Sequence, residues 1–439
     1  MILTAPRLCT DQMTLDRRTF LAGAALLPAA AAAAENTDSG IGAKLAPEAS
    51  TFRDPGTGRT IRRLTSAKAN SYPLYYFTPS HTLDGRYLIF HSERSGWVEL
   101  YRMDLESGES VQLTAGRTRD SGWAVWCEWR LRGIYNHLSA LNQVRREVYY
   151  FQDEELRSTH VDTLANRRVY NMPGRISIGQ SSFSPDGRYY AFIHADRRNF
   201  VEVMSDREAL ANMKLGGTFD WRNRIPATIG LIETETGKYS DIIQLDFHVH
   251  HVIFADNRRV LVNHIKDGHG MWMIGIDGSG RRTLRPPDEH GSVVHQVVTR
   301  NGIYYEAVGD KAKSGAHNWF GRYDLASDTF EEIPLPEIDG YVHTGLDPGG
   351  RFLFFEEHGS IHRLMSLHFP RIAGKRQLKT LRQMARYPGT GGQRYHAHPF
   401  LAPDRKSLFY TEPINGYSQI CAMDVRDLAG LDEYWDRRA

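Results

Sequence analysis

The sequence predicts an all-β protein, namely a seven-bladed β-propeller with four-stranded antiparallel blades. One turn motif recurs at intervals of about 40 to 60 residues, a period typical of propeller blades. The segments after these turns are rich in aromatic and β-branched residues, which favour strands. A second turn then closes each repeat. Together, these three observations favour a propeller over a chain of separate domains.

The recurring turn is clearest at residues 184–187, which read Ser-Pro-Asp-Gly. Related turns occur at residues 83–85, 347–350 and 402–404. Proline, aspartate and glycine favour tight turns for separate physical reasons, so these positions predict strand ends. We place the seven blades near residues 72–115, 120–175, 178–246, 249–288, 293–337, 341–388 and 394–430.

The N-terminal part of the propeller is expected to complete its last blade. Residues 51–66 include Thr-Ile-Arg-Arg-Leu at positions 60–64, a strand-like segment without a blade of its own. Pairing of this segment with the last blade would close the ring. We therefore predict one propeller domain over residues 51–439, after a flexible segment at residues 35–50.

Residues 1–34 resemble a twin-arginine export signal. Arg17 and Arg18 precede Thr-Phe-Leu, and an apolar, alanine-rich run extends from Ala22 to Ala34. The sequence thus predicts export to the periplasm, with cleavage near Ala34. No later segment has 18 consecutive apolar residues, so we expect no membrane span in the mature chain.

Composition excludes several other classes of protein. Apolar residues make up 41% of the chain and charged residues 24%, as in ordinary globular proteins. The net charge of the whole chain is only +2, so nucleic acid is not an expected partner. An anionic ligand would have to be recognised by a local group of residues.

Histidines recur at one register of the predicted blades. The turn position occupied by Pro185, Pro348 and Pro403 corresponds to Asp256 and Arg300 in the less regular repeats. Five residues before these positions stand Gln180, His343, His398, His251 and His295. The first strand of each blade lines the central channel, so side chains at one register should converge there. Clustered imidazoles are common ligands of transition metals.

A single histidine is more often a hydrogen-bonded core residue than a metal ligand. We apply that interpretation to the histidines that fit no shared register, which are His81, His137, His160, His269, His290, His362 and His368.

The densest cluster of candidate ligands lies at residues 391–400, which read Gly-Gly-Gln-Arg-Tyr-His-Ala-His-Pro-Phe. Side chains two apart on an extended strand share a face, so His396 and His398 are expected to reach one ion. Gln393 lies on the preceding loop and can add an oxygen ligand.

At this point the chain resembles the oligogalacturonate lyases, metal-dependent polysaccharide lyases built on a seven-bladed propeller. Their pattern Gln-x-x-His-x-His-Pro is matched by Gln393, His396, His398 and Pro399, and Phe400 and Pro403 follow. His295 stands where a further ligand histidine opens an earlier blade. The likeness also includes Arg63-Leu64-Thr65, Asn70 and residues 74–77.

The resemblance implies a Mn²⁺ ion, or another divalent metal, held by His295, Gln393, His396 and His398. It implies that His251 is the Brønsted base, with His250 as the alternative. The family has an arginine on the strand leading into that blade, whereas this chain reads Ala-Thr-Ile-Gly at 227–230. The candidate substrate contacts are Arg224, His343, Arg394 and Tyr395.

These residue types suit β-elimination from a uronate. The C5 proton lies beside a carboxylate and is therefore very weakly acidic, so a cation that neutralises the carboxylate favours its removal. A neutral histidine can accept the proton. The expected partner is an acidic oligosaccharide, cleaved to a 4,5-unsaturated uronate. Two alternatives remain open: a non-catalytic periplasmic binding or scaffold propeller, and a lyase for a different uronate glycan.

Overall fold

The chain divides into two compact units, Met1–Thr37 and Asp38–Ala439. The computed structural model describes parts of the second unit only, namely residues 40–116, 133–135, 137–199, 225–264, 270–285, 292–299, 302–309, 318–336, 338, 341–347, 352–358, 362–368, 377–385 and 393–428. The predicted export signal and Arg224 lie outside these residues.

The described fold consists mainly of β-strands arranged in six sheets, with helical residues at 197–199 and a short 3-10 turn at Gln393–Tyr395. The first sheet contains β1 (Lys44–Leu45), β4 (Ser71–Pro73), β5 (Tyr87–Ser92), β6 (Glu99–Asp104) and β7 (Ser110–Gln112). The second contains β8 (Ala140–Asn142), β9 (Glu147–Gln152), β10 (Glu155–His160) and β11 (Asn166–Asn171). Neighbouring strands in both sheets are antiparallel.

The third sheet has eight strands: β12 (Arg175–Phe183), β13 (Tyr189–Asp196), β14 (Ala227–Glu233), β15 (Tyr239–Leu245), β16 (Val249–Phe254), β17 (Arg259–His264), β18 (Gly270–Gly275) and β19 (Arg282–Arg285). The fourth contains β20 (Ser292–Thr299), β21 (Gly302–Val308), β22 (Asn318–Asp324) and β23 (Thr329–Pro334).

The fifth sheet contains β24 (Tyr341–Leu346), β25 (Phe352–His358), β26 (His362–His368) and β27 (Gln377–Gln383). The sixth contains β2 (Ser50–Arg53), β3 (Thr60–Arg63), β28 (Phe400–Leu401), β29 (Ser407–Ile414) and β30 (Tyr417–Asp424). The molecule is therefore all-β, mostly antiparallel and propeller-like.

The prediction of seven separate blades is wrong in one respect. Five sheets have the size of a blade, but the third joins two antiparallel four-stranded halves. The halves meet at the first strand of each, where Gln180 of β12 pairs in parallel with His251 of β16. This backbone pairing merges two repeats into one sheet, and a pattern of turns and strands in the sequence does not encode it.

The predicted pairing between the N-terminal segment and the last sheet is confirmed. Ile61 of β3 pairs with Met423 of β30, and the Leu64 amide donates to the Ile420 carbonyl at 2.8 Å. The structure also adds β1, which lies before the predicted start of the domain and pairs with β7. The described chain thus joins its first strands to its last sheet by backbone hydrogen bonds.

The turns form as their residue types predict. The Ser184 hydroxyl donates to the Asp186 carboxylate at 2.6 Å, and the same carboxylate accepts the Arg188 amide at 3.1 Å. Gly187 has a φ of 70°, which favours glycine. The strands on either side are almost wholly buried, so the turns place apolar strand residues in the core between sheets.

None of the helices in the described parts of the chain has the length and apolar character needed to cross a membrane.

Candidate metal centre

Four histidines that lie in the inner strands or just before them share an unusual backbone conformation. His137, His295, His343 and His398 have φ values of 57°, 50°, 52° and 40°. Side chains other than glycine, asparagine and aspartate seldom occupy this left-handed region, because the Cβ atom approaches the following carbonyl. Non-glycine residues held in this conformation are concentrated at functional sites.

Local irregularities of the strands accommodate this conformation at two of the four positions. The strand pairing shifts register between Val294 and Val297 around His295, and between Val342 and Gly345 around His343. Such bulges redirect a side chain relative to the regular strand. A Cβ atom on Gly345 would collide with the Pro399 carbonyl, so glycine allows β24 to approach the segment carrying His398.

The structure brings these side chains together. The ring centroid of His343 lies 4.7 Å from that of His295, 4.6 Å from that of His396 and 4.3 Å from that of His398. His295 lies in the fourth sheet and His343 in the fifth. His396 and His398 lie in the segment that leads into the sixth. Four of the histidines selected from the sequence are therefore neighbours.

The extended strand that the sequence predicts for His396 and His398 does not form there. Gln393 belongs to a 3-10 turn, and β28 begins only at Phe400. The rings of His396 and His398 are nonetheless 6.1 Å apart, and His398 Nε2 lies 3.2 Å from Gln393 Oε1. A turn, rather than strand alternation, thus brings the three candidate ligands into one group.

Two buried carboxylates contact the histidines. Glu306 Oε2 makes a very short contact with Nδ1 of His295. Glu356 Oε2 lies 3.0 Å from Nδ1 of His396 and accepts the Ala397 amide at 2.9 Å. Ligand atoms of His343, Glu356 and His396 all lie within 4.8 Å of one another, a spacing compatible with a metal ion.

Burial keeps the central imidazoles neutral at physiological pH. It lowers the pKa of His398 to about 3, an effect that neighbouring His396 reinforces. Burial and the proximity of His398 likewise hold the pKa of His343 well below its usual value. Metal ligation requires the neutral imidazole, so these groups are in the state that a cation needs.

The donor groups present fit a divalent cation. Among the described residues, both ring nitrogens of His343 and Nδ1 of His398 are buried without a hydrogen-bond partner. Buried polar atoms normally have a partner, so these imidazole nitrogens are suited to binding a cation. Imidazole nitrogens and an amide oxygen are suitable ligands for such an ion.

The predicted base lies beside a group of aromatic residues. The His251 ring is 5.4 Å from Tyr75, 6.0 Å from Tyr76 and 5.3 Å from Phe77. Burial lowers the pKa of His251 to about 3, nearby His295 lowers it further, and the Gln296 side chain opposes the shift. The imidazole is therefore unprotonated at neutral pH.

His250 occupies a different environment. Its ring is 5.1 Å from that of His248 and 6.2 Å from that of His251. Of the two candidate bases, His251 is the one in ring contact with the tyrosines that also contact His343.

Arg394 and Tyr395, two of the predicted substrate contacts, lie at the edge of this cluster. Arg394 Nη1 donates to Glu93 Oε1 at 2.8 Å, and its guanidinium lies 5.1 Å from the Tyr395 ring centroid. Arg394 is close enough to His137 to lower the pKa of that imidazole. Tyr395 is buried, so its ring supports Arg394 more than it faces solvent.

Sequence reasoning missed four residues of the cluster, and His137 had a usable signal. Asn142 Oδ1 accepts the Arg145 amide at 3.0 Å, as Asp256 Oδ1 accepts the Arg259 amide at 2.8 Å. Asn142 therefore occupies the turn position, and His137 stands five residues before it. The His137 ring lies 5.7 Å from that of His398, which corrects its interpretation as an unrelated core residue.

Tyr76, Glu306 and Glu356 had no comparable signal. The Tyr76 ring lies 5.7 Å from His295, 5.6 Å from His343 and 6.4 Å from His398. Burial raises the pKa of its hydroxyl well above the usual value. These residues are recognisable only once the sheets are assembled, because their partners lie on other strands.

The fold and the cluster define a class: an all-β, propeller-like protein with a histidine-rich candidate metal centre. Comparison with curated proteins finds two relatives. The chain is 21% identical over 406 residues to the oligogalacturonate lyase of Dickeya dadantii, covering 88% of this chain and 98% of the relative. It is 21% identical over 413 residues to the oligogalacturonide lyase of Pectobacterium atrosepticum, covering 86% and 96%.

Solved structures show the same fold. An oligogalacturonate lyase from Vibrio parahaemolyticus superposes with a TM-score of 0.72 at 19% identity, covering 88% of this chain and 99% of the other. An oligogalacturonate lyase in complex with manganese has the same TM-score, identity and coverage. No protein-family model matches the chain.

Proposed function

We propose that this protein is a member of the oligogalacturonate lyase family and cleaves oligogalacturonate by metal-assisted β-elimination. The products would carry a 4,5-unsaturated uronate at the new non-reducing end. The observation that carries the proposal is the convergence of His295, His343 and His398 from different sheets. The relatives named above support the substrate class.

We assign the metal to Mn²⁺ or another divalent cation, held by His295, Gln393, His396 and His398. The His398 imidazole, which burial keeps neutral, and the Gln393 amide oxygen beside it support this set, as does the manganese complex among the similar structures. His343 lies among these ligands with neither nitrogen hydrogen-bonded to a described residue. We therefore propose that His343 also binds the cation, in place of the substrate contact expected from the sequence.

The proposed reaction begins with removal of the C5 proton of the uronate. A bound divalent cation neutralises the adjacent carboxylate and so makes this proton more acidic. His251 accepts the proton, because burial leaves its imidazole unprotonated and its ring contacts Tyr76, which also contacts His343. Tyr75, Tyr76 and Phe77 restrict the access of water to this imidazole.

The departing sugar oxygen on C4 must gain a proton. Tyr76 is a suitable donor, because burial keeps its hydroxyl protonated and its ring contacts both His251 and His343. Among the described residues, this hydroxyl has no hydrogen-bond partner. We propose that Tyr76 donates its proton to the leaving oxygen, and that the C5 proton taken up by His251 then passes to the Tyr76 oxygen, which restores both groups for the next turnover.

The acidic oligosaccharide would extend from the cation towards Arg394 and Tyr395. Arg394 is paired with Glu93, so it would bind a second uronate only by sharing its guanidinium. Arg224 is retained as a candidate contact from the sequence alone. The buried strand β14 carries no arginine at residues 227–230. The identity of the uronate polymer is therefore left to the substrate panel.

We further propose that the eight-stranded sheet represents two blades, so that the repeats number seven in one domain over residues 51–439. Each half has four antiparallel strands, the common size of a blade. The parallel pairing between Gln180 and His251 would then be a contact between the inner strands of adjacent blades.

We also propose that the mature enzyme acts in the periplasm after twin-arginine export. The support is the sequence of residues 17–34. N-terminal sequencing of the protein from a periplasmic fraction should begin close to residue 35. Replacing both Arg17 and Arg18 by lysine should retain the precursor in the cytoplasm, whereas continued export would contradict this route.

The activity is tested by incubating the manganese-loaded protein with a panel of uronate oligosaccharides. If the protein is an oligogalacturonate lyase, the ultraviolet absorbance of an unsaturated uronate should appear with oligogalacturonate and should require the cation. Absorbance with a different uronate glycan only would retain the chemistry and change the substrate. A silent panel, with manganese bound and oligosaccharide retained on a binding assay, would favour a non-catalytic propeller.

A further inference from the structure

Two buried carboxylates occupy one structural position in adjacent sheets. Glu306 on β21 pairs with Val294, the residue before His295. Glu356 on β25 pairs with Val342, the residue before His343. Both residues are almost completely inaccessible, at 1% and 0% exposure. In these two sheets, the second strand therefore presents an acid beside a left-handed histidine of the first strand.

The last sheet lacks this acid. There the residue before His398 is Ala397, whose carbonyl accepts the Thr411 amide at 2.8 Å. The Ala397 amide instead donates to Glu356 from the neighbouring sheet. Two carboxylates thus serve three sheets, and both face the histidine cluster.

Each carboxylate addresses the same atom of a candidate ligand. Glu306 contacts Nδ1 of His295, and Glu356 lies 3.0 Å from Nδ1 of His396. A carboxylate accepts a hydrogen bond from a protonated ring nitrogen, so it favours the imidazole tautomer that carries hydrogen on Nδ1. The lone pair is then on Nε2, where it can bind a cation.

We propose that Glu306 and Glu356 are positioning residues for the cation: they fix the ring orientation and tautomer of His295 and His396, and their charges balance those of the ion. This inference rests on the metal site of the proposed function.

Glu356 is also held from its other side. Its Oε1 atom lies 2.7 Å from His362 Nε2, and His362 Nδ1 lies 2.9 Å from the Ala385 carbonyl. This second contact fixes the carboxylate from the side opposite His396, as positioning requires.

The test uses the mature chain with Glu306→Gln and Glu356→Gln, which keep the shape and remove the charge. Glu332→Gln is the matched control, because Glu332 is also a buried acid but pairs with Arg285 at 2.9 Å. Calorimetric titration with Mn²⁺ should show a loss of affinity of about ten- to a hundredfold for the first two variants. The control should bind as the wild type does.

Electron paramagnetic resonance of the manganese-loaded samples provides a readout that a purely structural role would not change. Altered spectra are expected for Glu306→Gln and Glu356→Gln at saturation, and an unaltered one for Glu332→Gln. Affinities within twofold of wild type together with unchanged spectra would overturn the inference. A wild-type protein that binds no Mn²⁺ would instead overturn the proposed metal site itself.

A double-mutant cycle keeps the inference testable if Glu356→Gln does not fold. Because Glu306 acts through His295, Glu306→Gln should have no further effect on affinity once His295 is replaced by alanine. Equal losses in both backgrounds would show that Glu306 acts elsewhere, and the positioning role would be rejected.

Discussion

At the residue scale, the backbone explains why histidines repeat at one position. His137, His295, His343 and His398 all adopt the left-handed conformation, although glycine or asparagine would do so at lower cost. A stability requirement alone would not favour imidazoles there. The conformation turns each side chain towards its neighbours, so the repeated residue indicates a shared ligand.

His251 should be essential for turnover and dispensable for metal binding. Replacement by alanine removes the proposed base, and we expect turnover to fall by at least about a hundredfold, as is typical of a lost general base. Manganese content should remain that of the wild type. His250→Ala is the matched control and should retain most of the rate; loss of activity in this variant alone would move the base to His250.

Tyr76→Phe should lower turnover without removing the metal. The substitution deletes only the hydroxyl that we propose as proton donor, while the ring packing against His295 and His343 is retained. General acids contribute about a hundredfold or more to such reactions. Tyr75→Phe is the control, and an equal effect of both substitutions on the rate would contradict the assignment.

At the scale of elements, ion pairs link the sheet that contains His343 to the sheet that closes the chain. Arg382 of β27 contacts Asp54 at 2.5 Å, just after β2, and Glu412 of β29 at 2.5 Å. Both acids have side chains that are only 2% exposed. The Arg382 guanidinium thus joins the fifth sheet to the N-terminal and C-terminal parts of the chain that together form the sixth sheet.

Removing this guanidinium should destabilise the protein strongly. Arg382→Met leaves two buried carboxylates without their cation, and breaking a buried pair in this way costs about 3–5 kcal/mol. Arg167→Met is the control, because its pair with Glu147 is at the surface and contributes at most about 1 kcal/mol. Urea unfolding measures both free energies, and similar losses in the two variants would argue against a closing role for Arg382.

At the scale of the whole molecule, the sequence predicted the features that local chemistry determines. The turn residues located the strands, and their period placed His295, His343 and His398 at one register. The N-terminal segment was matched to the last sheet because it has no partner of its own. His137 was missed because its turn, Asn-Gln-Val-Arg at 142–145, has no proline, aspartate or glycine, whereas each of the other turns has at least one of them.

Features that depend on pairing between strands could not be predicted. Glu306 and Glu356 reach the histidines only because the second strands pair in a particular register with the first. The union of two repeats in one sheet depends on a backbone contact at Gln180, which any residue type can make. The 3-10 turn at Gln393–Tyr395 lies where a loop was expected, and the strand expected at His396 and His398 begins only at Phe400.

The metal-free protein should lose stability as the pH falls. Burial lowers the pKa values of His91, His251 and His398 to about 3, whereas unfolded histidines titrate near 6.5. The unfolded state therefore binds more protons between about pH 6.5 and 3, and stability declines through that window. The raised pKa of His362 acts in the opposite direction and offsets only part of this decline.

Urea unfolding in the presence of a chelator at several pH values measures this decline. His91→Gln removes the one of these three histidines that is neither a proposed ligand nor the proposed base. It should reduce the slope of the unfolding free energy against pH by about 1.4 kcal/mol per pH unit. A stability that is constant from pH 7 to 4 would contradict neutral burial of these imidazoles.

The central claim is that imidazoles from separate sheets meet around one cation. The most direct measurement is an anomalous difference map from a crystal of the manganese-loaded protein. We expect one strong peak in this map, bounded by the side chains of His295, Gln393, His396 and His398. The His343 side chain should also contact the peak. A peak located elsewhere, or full occupancy of manganese in a His398→Ala variant, would contradict it.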